Sequence, residues 1–159
     1  MLKFLALAVI GLAVAGTVFV RLAPVDGAQW NVDPLTAAQP GAKGWLVRPE
    51  GGDAAWQEFD TQGEILLAAF DRIVMDEPRT ARVEGDVAAG RITYVTRSRL
   101  WGFPDFTTVA AVPYGEGTTL AVLARARFGQ SDLRVNRDRV NRWYGALRQS
   151  LASTEPAAE

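Results

Sequence analysis

Residues 4–20, FLALAVIGLAVAGTVFV, carry no charge and sit between Lys3 and Arg21. A helix built from them is apolar on every face, so it has no side to turn toward water. A chain of 159 residues has no core large enough to bury such a helix. At 1.5 Å per residue the run covers roughly 25 Å, just short of a bilayer's hydrocarbon core. Leu22 and Ala23 extend it when Arg21 snorkels to the interface. Ala13-Val14-Ala15 also offers an A-x-A cleavage site. Two readings follow, an uncleaved anchor or a signal peptide. The anchor is favoured because apolar sequence continues past that cut as far as Arg21. Expected from it is a single-pass protein of a bacterial inner membrane, with the C-terminal part in the periplasm. The alternative is secretion to the periplasm after cleavage.

The remainder is long enough for one domain. The expected division is a membrane segment at 1–23, an arm at 24–58, a domain at 59–152 and a disordered tail at 153–159. Pro24, Pro34, Pro40 and Pro49 make the arm irregular, while Trp30, Trp45 and Trp56 imply that parts of it pack on the domain. Trp30 also has the option of resting at the membrane interface.

Thr61-Gln62-Gly63-Glu64 reads as a capping box opening a helix, with Leu66, Ala69, Phe70, Ile73 and Val74 on its apolar face. Pro78 ends it. Thr80–Glu84 is a short strand and Asp86–Gly90 a turn. Arg91–Leu100 alternates and is rich in β-branched residues, so it is a strand. After the Gly102-Phe103-Pro104-Asp105 loop, Phe106–Val112 and Thr118–Phe128 form a hairpin. Ser131 or Asp132 caps a last helix with the stripe Leu133, Val140, Trp143, Tyr144, Leu147 and Leu151. The class is α+β: an antiparallel sheet of three to four or more strands against two helices, preceded by the membrane helix.

Charge is asymmetric. Residues 22–78 hold three basic and ten acidic side chains, and residues 79–148 hold twelve basic and six acidic. Either the halves complement each other or the second half presents a basic face to an anion. Strand alternation puts Arg97 and Arg99 on the non-core face of one strand, and Arg125 and Arg127 on that of another. If those strands meet in one sheet, four guanidinium groups line its end. Arg forks suit phosphate, sulfate and carboxylate. Otherwise Asp105, Asp132 and acids of the first half satisfy them. Asn136 faces inward, and as a buried amide it is expected to tie the helix start to the loop at 129–131.

Cysteine and histidine are absent, which removes disulfides, Cys/His zinc sites and imidazole-based triads. Lys3 and Lys43 are the only lysines, and neither lies in a region suited to covalent catalysis. No catalytic set, metal or cofactor is expected. Export and a net charge of −1 argue against nucleic acid.

The stretches RITYVTRSRLWGFPDF (91–106) and RARFGQSDLRVNRDRV (125–140), preceded by EPRT at 77–80, resemble the bacterial and plastid family called domain of unknown function 1499. Ser98, Arg99, Gly102, Phe103, Asp105, Arg125, Arg127, Gly129, Ser131, Asp132, Asn136, Arg137 and Arg139 match its pattern. Ala126 departs where serine is frequent, and Arg134 lies beside a position often glycine. The resemblance spans about residues 60–150 and implies an exported or membrane-attached domain of unassigned activity. The candidate ligand set is therefore Arg97, Arg99, Asp105, Arg125, Arg127, Ser131, Asp132, Asn136 and Arg139.

The functional expectation is a non-enzymatic binding or assembly module, with its Arg face toward an anionic partner or lipid headgroups. The alternatives are a hydrolase of an anionic ester using Asp105 or Asp132 with arginines, and a lipid carrier by analogy with helix-grip folds.

Overall fold

The computed structural model describes residues 1–153. Its elements in chain order are α1 (Leu2–Leu22), α2 (Gly27–Trp30), a 3-10 turn (Gly41–Lys43), β1 (Gly44–Val47), α3 (Gly63–Met75), β2 (Thr80–Asp86), β3 (Arg91–Arg97), β4 (Pro104–Tyr114), β5 (Gly117–Ala126) and α4 (Val135–Ala152). The five strands form one antiparallel sheet in the order β1-β5-β4-β3-β2. β2 to β5 are consecutive neighbours, so three tight connections build most of the sheet. The fold is α+β.

Alternation along the strands sorts two faces. Ile92 and Tyr94 of β3, Val109 of β4 and Leu120, Val122 and Ala124 of β5 meet Leu66, Phe70 and Val74 of α3 and Val140, Trp143 and Leu147 of α4. Trp56 joins this core from the segment before α3, stacked on Tyr144 with ring centroids 4.3 Å apart. The opposite face is also covered. Trp30 stacks on Phe106 at 4.0 Å, and Ala37 and Val32 pack with Leu46 and Leu123. Thr93 and Thr108 bond each other at 3.0 Å on that face. Asn31 Oδ1 lies 3.0 Å from the Thr93 hydroxyl and the Trp30 carbonyl 2.9 Å from that of Thr108, so the two hydroxyl hydrogens are shared among three contacts and each oxygen keeps a partner.

Several local expectations need correcting. The segment expected to be irregular supplies β1, which pairs with β5 through Trp45↔Ala124 and Leu46↔Leu123. Four residues between glycine and proline punctuation are too short to show alternation. The capping box does not form: Gln62 is the N-cap of α3 and its side chain makes no cap bond. Leu133 is 84% exposed with φ 53°, off the α4 stripe, because the chain has not yet entered the helix. β3 stops at Arg97, so Arg99 and Leu100 lie in a turn, and Pro104 and Asp105 already belong to β4. β5 stops at Ala126, one residue before Arg127. Of the tail expected from 153, Ser153 caps α4 with its hydroxyl on the Gln149 carbonyl, and the rest lies outside the described residues.

Among the described residues one helix, Lys3–Leu22, is long and apolar enough to cross a membrane, and the protein leaves nearly all of its apolar stretch uncovered, Val20 at its end being the buried exception. Its length and composition suit a single-pass anchor or a signal sequence.

Candidate functional site

Arg97, Arg125 and Arg127 do lie at one end of the sheet's outer face. Arg97 pairs with Pro104, the Pro104 carbonyl accepts from the Arg127 N–H, and Arg125 sits opposite Phe106. Their partners are not the expected carboxylates. Arg97 Nη1 reaches the carbonyls of Gly102 at 3.2 Å and Val20 at 3.5 Å. Arg125 Nη2 donates to the Trp30 carbonyl at 2.6 Å while its guanidinium lies 4.9 Å from that indole's centre. Arg127 Nη1 donates to the Pro24 carbonyl at 2.7 Å. Burial pushes the Arg125 pKa down from its ordinary value. These three side chains clamp the chain leaving α1 onto the sheet. All their acceptors are neutral, so the positive charge stays uncompensated.

Beside this clamp lies a cavity of about 470 Å³. Arg21, Arg79, Arg97 and Arg99 line it with Thr80, Ser98 and Gly102, and among the described residues no acidic one does. Arg21 is the last charge of the membrane helix, and its Nη2 donates to the Leu100 carbonyl at 3.2 Å. Arg79 Nε donates to the Arg97 carbonyl at 3.1 Å. Arg79 also has φ 61°, a left-handed conformation that costs a residue with a Cβ about 1 kcal/mol. Such strain concentrates where a side chain must be aimed. Among the described residues Arg99 has no hydrogen-bond or ion-pair partner. Gly102, with φ 74°, lets the turn press against Arg21, whose Cγ would lie 2.8 Å from a Cβ there.

Asp105, Asn136, Arg139 and Asp132 form a separate knot on the helix side of the sheet. Arg139 Nη2 donates to Asp105 Oδ2 at 3.1 Å, and its Nη1 donates to Asn136 Oδ1 at 3.1 Å. Burial pushes the Asp105 pKa up, against the pull of Arg139, and the Asp132 charge adds to the rise. Asp132 accepts from the N–H groups of Arg134 and Asn136, so its carboxylate caps α4 as expected, although Arg134 is the residue at the cap position. Ser131 accepts from the Leu133 N–H at 3.2 Å. The expected tie from Asn136 to the loop at 129–131 is absent: its amide oxygen serves Arg139, and its Nδ2 is buried without a partner.

A second cavity, of about 510 Å³, adjoins this knot and contains Asp53, Asp132, Arg134 and Arg137. Opposite charges balance there, so it holds no excess field for an anion. Elsewhere acidic and basic halves do complement each other, as Asp71 with Arg82, Asp33 with Arg91 and Glu77 with Arg142. Asp71 is also the acceptor for Tyr94, whose phenol pKa is pushed up chiefly by burial and then by that carboxylate. The four-arginine cavity is left out of this neutralisation.

A family model described as a protein of unknown function, DUF1499, matches residues 32–147. The chain belongs to this family. Comparison with curated proteins and with solved structures gives no match. The DUF1499 region holds Arg79, Arg97 and Arg99 but not Arg21, which enters the cavity from the preceding helix. Sequence reading missed Arg21 and Arg79 as site residues. Both carried a signal: Arg21 flanks the apolar run, and Arg79 stands in the EPRT stretch.

Proposed function

We propose that this DUF1499 chain is a single-pass protein of the bacterial inner membrane whose periplasmic α+β domain binds a phosphate-bearing anion without catalysis. The binding place is the basin of Arg21, Arg79, Arg97 and Arg99, and the ligand is the phosphate of a lipid headgroup. One observation supports this reading: four arginines line one cavity, at the point where the apolar helix ends, and among the described residues no carboxylate lines it. Headgroup phosphates lie at that depth. Near an anionic membrane each arginine contributes about 1 kcal/mol, so four give about 4 kcal/mol, roughly a thousandfold preference. Asp105, the carboxylate an ester hydrolase would need nearby, is instead held by Arg139 on the other side of the sheet.

Full-length chain in nanodiscs of phosphatidylcholine alone, titrated with short-chain phosphatidylglycerol and separately with inorganic phosphate, tests it. Binding of the lipid that weakens with salt and falls in Arg79→Gln/Arg99→Gln supports the reading. Binding of inorganic phosphate alone points to a soluble anion as source. Titrations indifferent to the double substitution refute the basin.

A further inference from the structure

The turn between β3 and β4 carries three exposed apolar side chains in succession around a glycine. Leu100 is 72% exposed, Trp101 46% and Phe103 39%. Hydrogen bonds nevertheless close the turn on itself. The Ser98 N–H donates to the Phe103 carbonyl, the Gly102 N–H to the Ser98 carbonyl, and the Phe103 N–H to Ser98 Oγ. Phe103 leans on Phe128 with ring centroids 6.0 Å apart. An ordered turn that holds a Leu and a Trp out of the protein's own core needs something else to cover them.

Its position identifies the cover. Arg21, at the end of α1, donates to the Leu100 carbonyl and packs on Gly102, while Arg97 at the base of the turn reaches the Val20 carbonyl. Arg99 precedes the apolar residues with its guanidinium unpartnered among the described residues. Trp with flanking Arg, fixed to the charged end of an apolar helix, is the composition of a membrane–water interface. We infer that the β3–β4 turn inserts Leu100, Trp101 and Phe103 into the headgroup–acyl boundary of the membrane that holds α1. The domain then meets the bilayer at two places, and the arginine basin is pinned against the headgroups. This inference rests on α1 spanning the membrane, as proposed above.

The chain has no cysteine, so single labels are unambiguous. Full-length Val9→Cys, Leu100→Cys and Glu116→Cys, each carrying an environment-sensitive fluorophore, are reconstituted in vesicles of phosphatidylcholine and phosphatidylglycerol. Nitroxide lipids quench either near the headgroups or near the acyl ends. Position 116 lies in the β4–β5 turn, at the far end of the eleven-residue strand β4, and reports water. Expected is blue-shifted emission at 100 and shallow quenching several-fold that at 116, with deep quenching at 9. Deep quenching at 9 with no more quenching at 100 than at 116 overturns the turn's insertion and leaves the anchor standing. No quenching at 9 removes the anchor, and this inference with it. A wet label at 100 whose emission shifts only when a second protein is added assigns the turn to a protein partner and also overturns insertion.

Discussion

Replacing Arg139 by Met probes the buried ion pair at the start of α4. The side chains of Arg139 and Asp105 are 7% and 13% exposed, and their charged atoms are 3.1 Å apart. Desolvation already outweighs the pull of Arg139, since the Asp105 pKa is raised from its ordinary value. The pair therefore adds little net stability, yet each member prevents the other from being a lone buried charge. Arg139→Met leaves the Asp105 carboxylate unpaired, at a cost of about 3–5 kcal/mol. It also strips the Asn136 amide oxygen of its donor, adding about 1 kcal/mol. The pH dependence has a definite sign. A folded-state pKa above the unfolded value means that stability is greatest below the unfolded pKa and falls as pH rises through the folded one. Losing Arg139 removes both influences that lower this pKa, so the penalty is largest near about pH 8 and shrinks toward about pH 4. Adding Asp105→Leu is expected to restore most of the loss. Urea unfolding of the full chain in a neutral detergent, followed by tryptophan fluorescence at both pH values, reads all four corners of the cycle. A loss in Arg139→Met below about 1 kcal/mol, or one unchanged by pH, refutes the reasoning.

Leu133 is almost fully exposed and left-handed, so Leu133→Gly trades about 1–2 kcal/mol of steric strain for a smaller entropy cost. A rise in urea midpoint equivalent to about 0.5–1 kcal/mol is expected, and a fall contradicts the backbone geometry. Trp30→Ala removes the stacking on Phe106 and the seat of Arg125, and about 2–3 kcal/mol of loss is expected in the same assay. Arg79→Gln/Arg99→Gln leaves the core untouched, so its urea midpoint stays within about 0.5 kcal/mol of the parent while its salt-sensitive anion binding falls.

The strands, the two packed helices and the membrane helix were legible because their signals are long. Residues 118–128 form a long stretch between Gly117 and Gly129, and Val140, Trp143 and Leu147 keep helical spacing. β1 was not legible, since a four-residue strand is specified by its partner β5 rather than by its own pattern. Strand parity placed Arg97 and Arg125 on the face turned away from α3 and α4, but it did not apply to Arg99, which lies in a turn, and parity does not name partners. The carbonyls of Val20, Pro24 and Trp30 that hold Arg97, Arg127 and Arg125 lie 77, 103 and 95 positions away, and no local rule reaches them. Arg139 and Asp105, both read as candidates for a ligand, turn out to satisfy each other. Arg99 ended in a turn because Ser98 closes on Phe103, a bond that strand periodicity does not reveal.

Proximity between guanidinium nitrogen and lipid phosphorus reads the arginine basin most directly. Full-length chain with arginine labelled by heavy nitrogen, in bilayers of phosphatidylglycerol and phosphatidylcholine, is measured by nitrogen–phosphorus dipolar recoupling. The expected result is strong dephasing of arginine side-chain signals that drops sharply in Arg79→Gln/Arg99→Gln, leaving only the contribution of Arg21 and Arg97. Equal dephasing in parent and variant, or none in either, contradicts a phosphate held among these four side chains.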